Sequence, residues 1–395
     1  MKQISILLLA ILLSHAGFGQ ICHPQLITAT EDGECNNEPY FLVFEDNFDG
    51  DSLDLSKWQI QPWGQGSLTG DNTQQYYSLD NVFLSAGICS IIAKKDTVIR
   101  RAVSWIDDTV MLSDNLPNLR TYYNTSANIW TNQQFGYGIY EIRCKIPHGK
   151  GFWPAFWMYD SDSSVNKEID VFEFWDDNTT EHQMTVHYNG MMCGASYTGP
   201  DYASAFHTYK LIWDEYKMEW YVDGVLKRKL AKYHNMIGQK LECDEVHENS
   251  NYILEKTFPT ESLNIIANLA IQAGTYAPDT NTPFPASFEI DYIRYYAQPL
   301  ETGIEGSLPQ TDGNSIINIF PNPGNGILFL ELKGESLENY EISLMDLQGE
   351  TVYQNSSPKE RKIRIDFREF ARGIYVLHVH DNKTKNELAR KVIFL

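Results

Sequence analysis

Three acidic side chains within one short segment have the residue types and spacing that could carry out chemistry. The segment comprises residues 167–174, with the sequence KEIDVFEF, and its acids are Glu168, Asp170 and Glu173. Hydrolysis of a glycosidic bond requires two carboxyl groups that flank the bond, one protonated and one ionised. The segment therefore predicts two catalytic glutamates with an aspartate between them.

The spacing of these acids makes a structural prediction. Successive side chains of a strand point to opposite faces, so Glu168 and Asp170 would share a face and Glu173 would point away. A bulge of one residue between Asp170 and Glu173 would return Glu173 to the shared face. The glutamates would lie roughly 13 Å apart by strand rise, and converging side chains could approach the roughly 5–5.5 Å of a retaining glycosidase. We expect Asp170 to hydrogen-bond Glu168.

An acidic strand face exposed to solvent would explain the same residues without catalysis. The chain contains a second Glu-Ile-Asp triplet at residues 289–291, which has no third acid at the corresponding step. The triplet alone is therefore weak evidence. Three like charges on one face repel one another, and such a cost is usually tolerated only for function.

An aromatic run upstream of the acids could bind sugar rings. Residues 151–157 read GFWPAFW, and an extended backbone places Trp153 and Trp157 on one face, with two phenylalanines on the other. Aromatic planes pack against the C–H faces of pyranose rings, so this row predicts a sugar platform. Pro154 indicates an edge strand or an irregular one. The alternative is a core strand that is buried on both faces.

Short β-type runs separated by turn residues must position these side chains. Residues 138–146 alternate in polarity, and residues 218–222 and 225–227 flank Asp223-Gly224, which is a strong hairpin signal. Long periodic helices are absent from the sequence. Many short strands with regular turns predict an all-β sandwich or barrel.

The composition divides the chain into four segments. Residues 1–19 have a positive start, a short apolar run and then small residues, which is typical of a signal peptide. Residues 20–298 contain the motifs described above, and residues 299–315 form a linker rich in Gly, Pro, Ser and Thr. Residues 316–395 again contain short β-type runs and are sufficient for a small β-sandwich. No other stretch is long and apolar enough to span a membrane.

Charge and cysteine content restrict the possible partners. The formal net charge is −21, and the whole acidic excess lies before residue 316, so nucleic acid would be repelled. Aromatic residues make up 13% of the chain, which suits neutral sugars and equally suits a β-rich core. The six cysteines include no Cys-x-x-Cys pair, so a zinc site is not expected. The simplest disulfide in an exported protein would join Cys22 to Cys35.

Residues 41–296 resemble the family-16 glycoside hydrolases, and within them the laminarinase-like β-1,3-glucanases. The motifs that carry the resemblance occur in the family's order: FEDNFDG (44–50), NTQQYY (72–77), FGYG (135–138), WPAFW (153–157), EIDVFE (168–173), VHY (186–188), WYVDG (220–224), NLA (268–270) and DYIR (291–294). The resemblance implies a concanavalin A-like β-jelly-roll sandwich with an open cleft. The spacer Phe172 matches the bulged form of the catalytic motif, which is typical of laminarinases, agarases and carrageenases.

The resemblance also implies roles for single residues. Retaining hydrolysis would use Glu168 as nucleophile, Asp170 as assisting acid and Glu173 as general acid/base, with no cofactor for catalysis. The expected sugar-binding residues are Trp153, Trp157, His187 and Asn72. Residues 97–118 depart from the family pattern and look like an extra loop near the cleft, where Trp105 would add a sugar contact. A structural Ca²⁺ on the convex side would be held by Asn47, Gly87 and Asp291, although Asn47 stands where the family usually has an acidic residue.

Several departures from the family pattern bear on the substrate. Asn128 stands about where laminarinases often have Arg, and Gln272 begins a Gln-Ala-Gly sequence that replaces the usual Gly-Gly. We expect a secreted endo-glycosidase that cleaves a β-linked polysaccharide, with laminarin-like β-1,3-glucan as the first expectation. The alternatives are a hydrolase of a marine galactan (agar, porphyran or carrageenan) and a non-catalytic glycan-binding jelly roll.

The tail resembles the C-terminal sorting domain of the type IX secretion system of Bacteroidetes. The resemblance rests on PNP at residues 321–323, DLQG at residues 346–349 and GIY at residues 373–375. It implies that the type IX machinery is a partner and that the protein is secreted or held at the cell surface. A carbohydrate-binding module is the alternative for the tail. We expect the protein to be a monomer.

Overall fold

The chain divides into two compact units, residues 1–298 and residues 299–395. The computed structural model describes residues 21–27, 40–60, 72–103, 106–112, 115–160, 166–248, 251–298, 317–320, 327–332, 337, 340–346, 351–356, 358–366, 373–382 and 386–394. The predicted signal peptide at residues 1–19 and the predicted linker at residues 299–315 lie outside the described residues.

The first unit is built almost entirely of β-strands. Its strands are β1 (Pro24–Ile27), β2 (Phe41–Asp46), β3 (Trp58–Gln59), β4 (Tyr76–Tyr77), β5 (Val82–Ser85), β6 (Ile88–Arg101), β7 (Leu119–Ser126), β8 (Asn128–Phe135), β9 (Gly138–Lys145), β10 (Phe152–Tyr159), β11 (Lys167–Glu173), β12 (Glu181–Tyr188), β13 (Met191–Thr198), β14 (His207–Trp213), β15 (Lys217–Val222), β16 (Val225–Ala231), β17 (Tyr233–His234), β18 (Tyr252–Glu255), β19 (Leu263–Ile271) and β20 (Ala286–Ala297). Among the described residues of this unit, the helical pieces are α1 (Cys243–Glu248) and two 3-10 turns (Leu79–Asn81 and Gly274–Tyr276).

Two large sheets organise these strands. Sheet A is antiparallel and has the spatial order β13-β12-β11-β10-β19-β8-β3. Sheet B has the order β16-β15-β14-β9-β20-β6-β7-β4, with β2 also paired to β20 and β5 to β6. The short strands β1, β18 and β17 form a separate three-stranded sheet.

The hydrophobic core lies between sheets A and B. Side chains alternate along β10, so Phe156 and Met158 are buried in the core while Trp157 is half-buried on the other face. Phe172 of sheet A meets Tyr209 of sheet B with ring centroids 4.3 Å apart. This packing confirms the predicted all-β sandwich.

The hairpin predicted at Asp223-Gly224 is present between β15 and β16, where Val222 pairs with Val225. Asp223 has a φ of 49° and Gly224 a φ of 75°. Positive φ at both central residues is the geometry of a type I′ turn, whose twist matches that of the flanking strands.

A disulfide joins Cys22, just before β1, to Cys193 in β13. The expected pairing of Cys22 with Cys35 is therefore wrong. The two Cα atoms lie 5.6 Å apart although 171 residues separate them in sequence. Two further cysteines, Cys89 and Cys144, are free and buried.

The second unit is a small β-sandwich, as the sequence predicts. Its strands are β21 (Ile317–Phe320), β22 (Ile327–Leu332), β23 (Tyr340–Met345), β24 (Thr351–Asn355), β25 (Lys362–Asp366), β26 (Gly373–Asp381) and β27 (Asn386–Phe394). They form two sheets, β21-β22-β25 and β24-β23-β26-β27, around a core that includes Leu330, Leu344 and Leu377. Across all the residues that the structure describes, no helix has the length and hydropathy needed to cross a membrane.

Candidate active site

A cleft on the face of sheet A opposite the core brings together the three predicted acids and two of the predicted sugar-binding residues. Strands β8, β10, β11 and β19 supply most of its lining, and residues 73–77 complete it. The lining residues are Thr73, Gln75, Tyr77, Asn128, Trp130, Trp153, Ala155, Trp157, Glu168, Asp170, Glu173, Asn268 and Ala270. The three acids and the two tryptophans predicted from the sequence are all among them.

A β-bulge in β11 aligns the acids. Asp170 pairs with Thr185 and Glu173 with Gln183, so three steps along β11 match two steps along β12. The extra residue lies between Asp170 and Glu173, which confirms the bulge predicted from the spacing of the acids. It places Glu168, Asp170 and Glu173 on the cleft face.

Burial and mutual repulsion keep protons on these acids. Burial, and then the charge of Glu173, raise the pKa of Glu168 to about 8. Burial raises the pKa of Glu173 to about 7, against the effect of a hydrogen bond from Trp153. Burial, followed by the charges of both glutamates, holds the pKa of Asp170 well above its ordinary value, while Arg228 acts in the opposite direction. The site therefore retains protons near neutral pH, as general acid catalysis requires.

His187 lies on β12 directly opposite Glu168. Its Nε2 atom is 3.5 Å from Oε1 of Glu168 and 3.7 Å from Oδ2 of Asp170. Burial lowers the pKa of His187, so the neutral imidazole is favoured, with one nitrogen as donor and the other as acceptor. The structure thus places His187 beside the predicted nucleophile, where the sequence indicates a residue of the cleft.

Trp153 contacts Glu173 rather than presenting two open ring faces. Its Nε1 atom donates a hydrogen bond to Oε1 of Glu173 at 3.0 Å. The Trp175 ring packs against Trp153 at a tilt of 31° with centroids 3.9 Å apart, so one face of the Trp153 indole is covered. Trp153 therefore orients the predicted acid/base residue and offers at most one face to a sugar ring. Trp175 was not predicted, and its only sequence signal is its position two residues after Glu173.

Trp157 contributes an aromatic surface next to Asp170, its partner on β11. Its Nε1 atom donates to Oδ1 of Asn268 at 2.7 Å, and Trp130 meets its ring edge-on at 6.1 Å. Trp130 was missed in the sequence, and Asn268 was noted only as part of the NLA motif. The indole of Trp157 is thus held in a fixed orientation beside the acids, as a sugar platform requires.

One of the predicted sugar contacts, Asn72, does not line the cleft. Asn72 is exposed and is not among the lining residues, and its backbone carbonyl accepts a hydrogen bond from Ala273. Its neighbours Thr73, Gln75 and Tyr77 line the cleft instead. Trp105 lies outside the described residues.

The residues predicted to hold Ca²⁺ have mixed surroundings. The carboxylate of Asp291 forms an ion pair with Arg143, and Oδ1 of Asn47 accepts a hydrogen bond from Arg294 at 3.1 Å. Gly87 has a φ of 74°, and an added Cβ there would lie 3.4 Å from Oδ1 of Asp49 and 3.8 Å from the carbonyl of Asn47. Oxygen ligands suit Ca²⁺, but two of the predicted side chains already bind guanidinium groups. The calcium ion stays a prediction.

Comparison with protein-family models identifies both units. The model described as "Glycosyl hydrolases family 16" matches residues 100–292. The model described as "Secretion system C-terminal sorting domain" matches residues 318–394. The first match contains the bulged strand with its three acids, and the second spans most of the C-terminal unit.

Individual relatives are similar to the first unit. The "Glucan endo-1,3-beta-glucosidase A1" of Niallia circulans is 28% identical over 286 residues, which are 65% of this chain and 38% of that protein. The solved catalytic domain of an endo-1,3-beta-glucanase (laminarinase) from Thermotoga petrophila is 30% identical, with a TM-score of 0.50 over 66% of this chain and 99% of that one. The endo-beta-1,3-glucanase of Pyrococcus furiosus is 28% identical, with a TM-score of 0.52 over 67% of this chain and 97% of that one.

Proposed function

Because this chain belongs to glycosyl hydrolase family 16, we propose that it is a secreted retaining endo-glycosidase that hydrolyses β-1,3-glucan. The observation that carries this proposal is the bulge in β11, which turns Glu173 to the cleft face that also holds Glu168 and Asp170. A regular strand would leave Glu173 in the core, with no access to a substrate.

In the proposed double displacement, Glu168 attacks the anomeric carbon while Glu173 protonates the leaving oxygen. Glu173 then removes a proton from the water that hydrolyses the glycosyl-enzyme intermediate. The pKa of about 7 at Glu173 suits a group that must hold and release a proton. The hydrogen bond from Trp153 fixes the carboxyl that performs both transfers.

The charge on Glu168 depends on its two acidic neighbours. Burial, and then the charge of Glu173, raise the pKa of Glu168 in the free site. The charge of Glu173 is one cause of that rise, so protonation of Glu173 makes ionisation of Glu168 easier. With Asp170 also neutral, Glu168 then carries the single negative charge of the triad.

Two lines of support favour β-1,3-glucan as the substrate. The Niallia, Thermotoga and Pyrococcus relatives are all described as acting on 1,3-β-glucan. Trp157, with the buried Trp130 packed against it, supplies aromatic surface beside the acids, which suits a neutral sugar polymer.

The test is reducing-end release by the full chain from laminarin, a mixed-linkage β-glucan, agarose and carrageenan. We expect release from laminarin, with products whose new reducing end is first seen as the β-anomer by proton NMR. Release from agarose or carrageenan but not from either glucan would overturn the substrate assignment. Initial formation of the α-anomer would overturn retention, and tight binding without any release would favour a glycan-binding protein.

We also propose that the C-terminal unit directs the enzyme through the type IX secretion machinery to the outside of the cell. The family match at residues 318–394 supports this proposal. Deletion of residues 299–395 in the producing bacterium should retain the activity inside the cell envelope. Equal activity in the medium with and without the tail would contradict the proposal.

A further inference from the structure

Trp220 reaches from sheet B to the backbone of the catalytic strand. It lies on β15, it is 1% exposed, and its Nε1 atom donates a hydrogen bond to the backbone carbonyl of Asp170 at 3.0 Å. Asp170 is the residue after which the register of β11 shifts against β12. The indole therefore holds β11 from the core side at the start of the bulge.

Arg228 contacts the strand on the other side of the bulge. It lies on β16, it is 6% exposed, and its Nη1 atom donates to the carbonyl of Met184 on β12. The neighbours of Met184 pair with Asp170 and Glu173, so Met184 lies opposite the bulged residues. The Nη2 atom of Arg228 donates to the carbonyl of Cys193 on β13 at 3.0 Å. One guanidinium thus ties β12, the strand that pairs with the bulge, to β13 on its far side.

The two side chains act as one unit. The guanidinium carbon of Arg228 lies 4.7 Å from the centroid of the Trp220 ring, which is a cation–π distance. A bulge disrupts the regular ladder, and buried carbonyl groups nearby need other donors. Trp220 and Arg228 supply such donors from the opposite sheet to Asp170 and Met184.

We propose that Trp220 and Arg228 are positioning residues that fix the bulge in β11 and thereby aim Glu173 at the substrate. The inference rests on the proposed function, because it assigns to Glu173 the transfer of a proton to the leaving group. Glu168 precedes the bulge and is held by regular pairing with His187. Loss of either positioning residue should therefore impair acid catalysis more than nucleophilic attack.

Trp220→Phe tests this assignment because it removes the Nε1 donor and keeps an aromatic ring. Trp213→Phe is the matched control, since Trp213 is also fully buried in sheet B, and its Nε1 atom has no hydrogen-bond partner among the described residues. Each variant is assayed as the full chain on laminarin and on 2,4-dinitrophenyl β-laminaribioside, whose leaving group departs without protonation. The value of kcat/KM on each substrate reports formation of the glycosyl-enzyme.

We expect Trp220→Phe to lower kcat/KM on laminarin about tenfold and to leave kcat/KM on the dinitrophenyl glycoside within about twofold of wild type. The Glu173→Gln variant should show the same selectivity with a larger loss on laminarin. Arg228→Lys keeps the positive charge but loses the paired donation to the carbonyls of Met184 and Cys193. It should show the same selective loss on laminarin as Trp220→Phe. Trp213→Phe should leave both values within about twofold of wild type.

Three results would separate the possible failures. Equal losses on both substrates in Trp220→Phe would mean a general structural defect and would overturn the positioning role. If Trp220→Phe and Arg228→Lys both have the same kcat/KM on laminarin as Trp213→Phe, the positioning role is overturned as well. An inactive wild type on both substrates would instead refute the proposed function, which the positioning role requires.

Discussion

The Glu-Ile-Asp triplet occurs in two strands of this protein, and its surroundings differ completely between them. In β20, Glu289 lies 2.9 Å from the ammonium group of Lys145, and Asp291 forms an ion pair with Arg143. In β11, the groups close to Glu168 and Asp170 are His187 and other acids. One triplet is neutralised at the surface by Lys145 and Arg143. The other is buried beside His187, whose lowered pKa favours the neutral imidazole.

The neighbouring strand explains the difference. Strand β9 places Lys145 opposite Glu289 and Arg143 opposite Tyr292, beside Asp291. Strand β10 places Tyr159 opposite Glu168 and Trp157 opposite Asp170. The same three residues therefore become a surface ion-pair site or a candidate active site according to whether cations or aromatic rings lie across from them. Cross-strand partners, rather than the triplet, determine the chemistry.

Substitution of the first glutamate in each triplet should give the largest contrast. Glu168→Gln removes the proposed nucleophile, and we expect reducing-end release from laminarin to fall by at least about a thousandfold. Glu289→Gln makes the same chemical change at the surface and should leave the rate within about twofold. Initial rates of the two full-length variants at equal concentration provide the measurement. Comparable rates in Glu168→Gln and Glu289→Gln would mean that the two triplets do not differ in function.

The bulge could be predicted from the sequence because the alternation of side chains between the two faces of a strand is a local property. Glu168 and Glu173 are five residues apart, and only an extra residue allows both to face the same side. The row formed by Trp153 and Trp157 follows from the same alternation. The Asp223-Gly224 turn is equally local, since two adjacent residues with positive φ define it.

Features that depend on distant segments could not be predicted in this way. Cys22 pairs with Cys193 because β1 lies close to β13 in the folded chain, which spacing does not reveal. The contact between Trp175 and Trp153 requires the chain to turn after β11, where Asp176 has a φ of 62°. Asn72 belongs to a motif that does reach the cleft, but the backbone presents Thr73 and Gln75 there instead.

The buried acids of β11 should also make the stability of the protein depend on pH, an effect smaller than the loss of activity in Glu168→Gln. The pKa of Glu173 is raised in the folded protein, so the folded state binds more protons than the unfolded state between the ordinary pKa of 4.5 and about 7. The free energy of unfolding therefore falls as the pH rises through this window. Glu173→Gln removes this loss and should be more stable than wild type by about 1–3 kcal/mol at pH 8, with a smaller difference at pH 4.

Urea denaturation of both proteins at pH 4, 6 and 8 provides the measurement. Glu289→Gln is again the control, because its carboxylate has a basic partner and should show no comparable gain at pH 8. A difference between wild type and Glu173→Gln that stays constant with pH would contradict a burial cost at Glu173. Such a result would also weaken the assignment of Glu173 as the group that holds the proton.

The smallest expected effect concerns Asp291 and distinguishes an ion pair from a metal ligand. Asp291 and Arg143 are both substantially exposed, and exposed ion pairs contribute only about 0–1 kcal/mol. Asp291→Asn should therefore lower the free energy of unfolding by less than about 1 kcal/mol, equally in EDTA and in millimolar CaCl₂. If Asp291 is instead a ligand of the predicted Ca²⁺, CaCl₂ will stabilise the wild type more than the variant, because only the folded wild type binds the ion tightly. A loss of stability that appears only with calcium would thus place the second triplet at a metal site, so that both copies of Glu-Ile-Asp would serve a function beyond surface ion pairing.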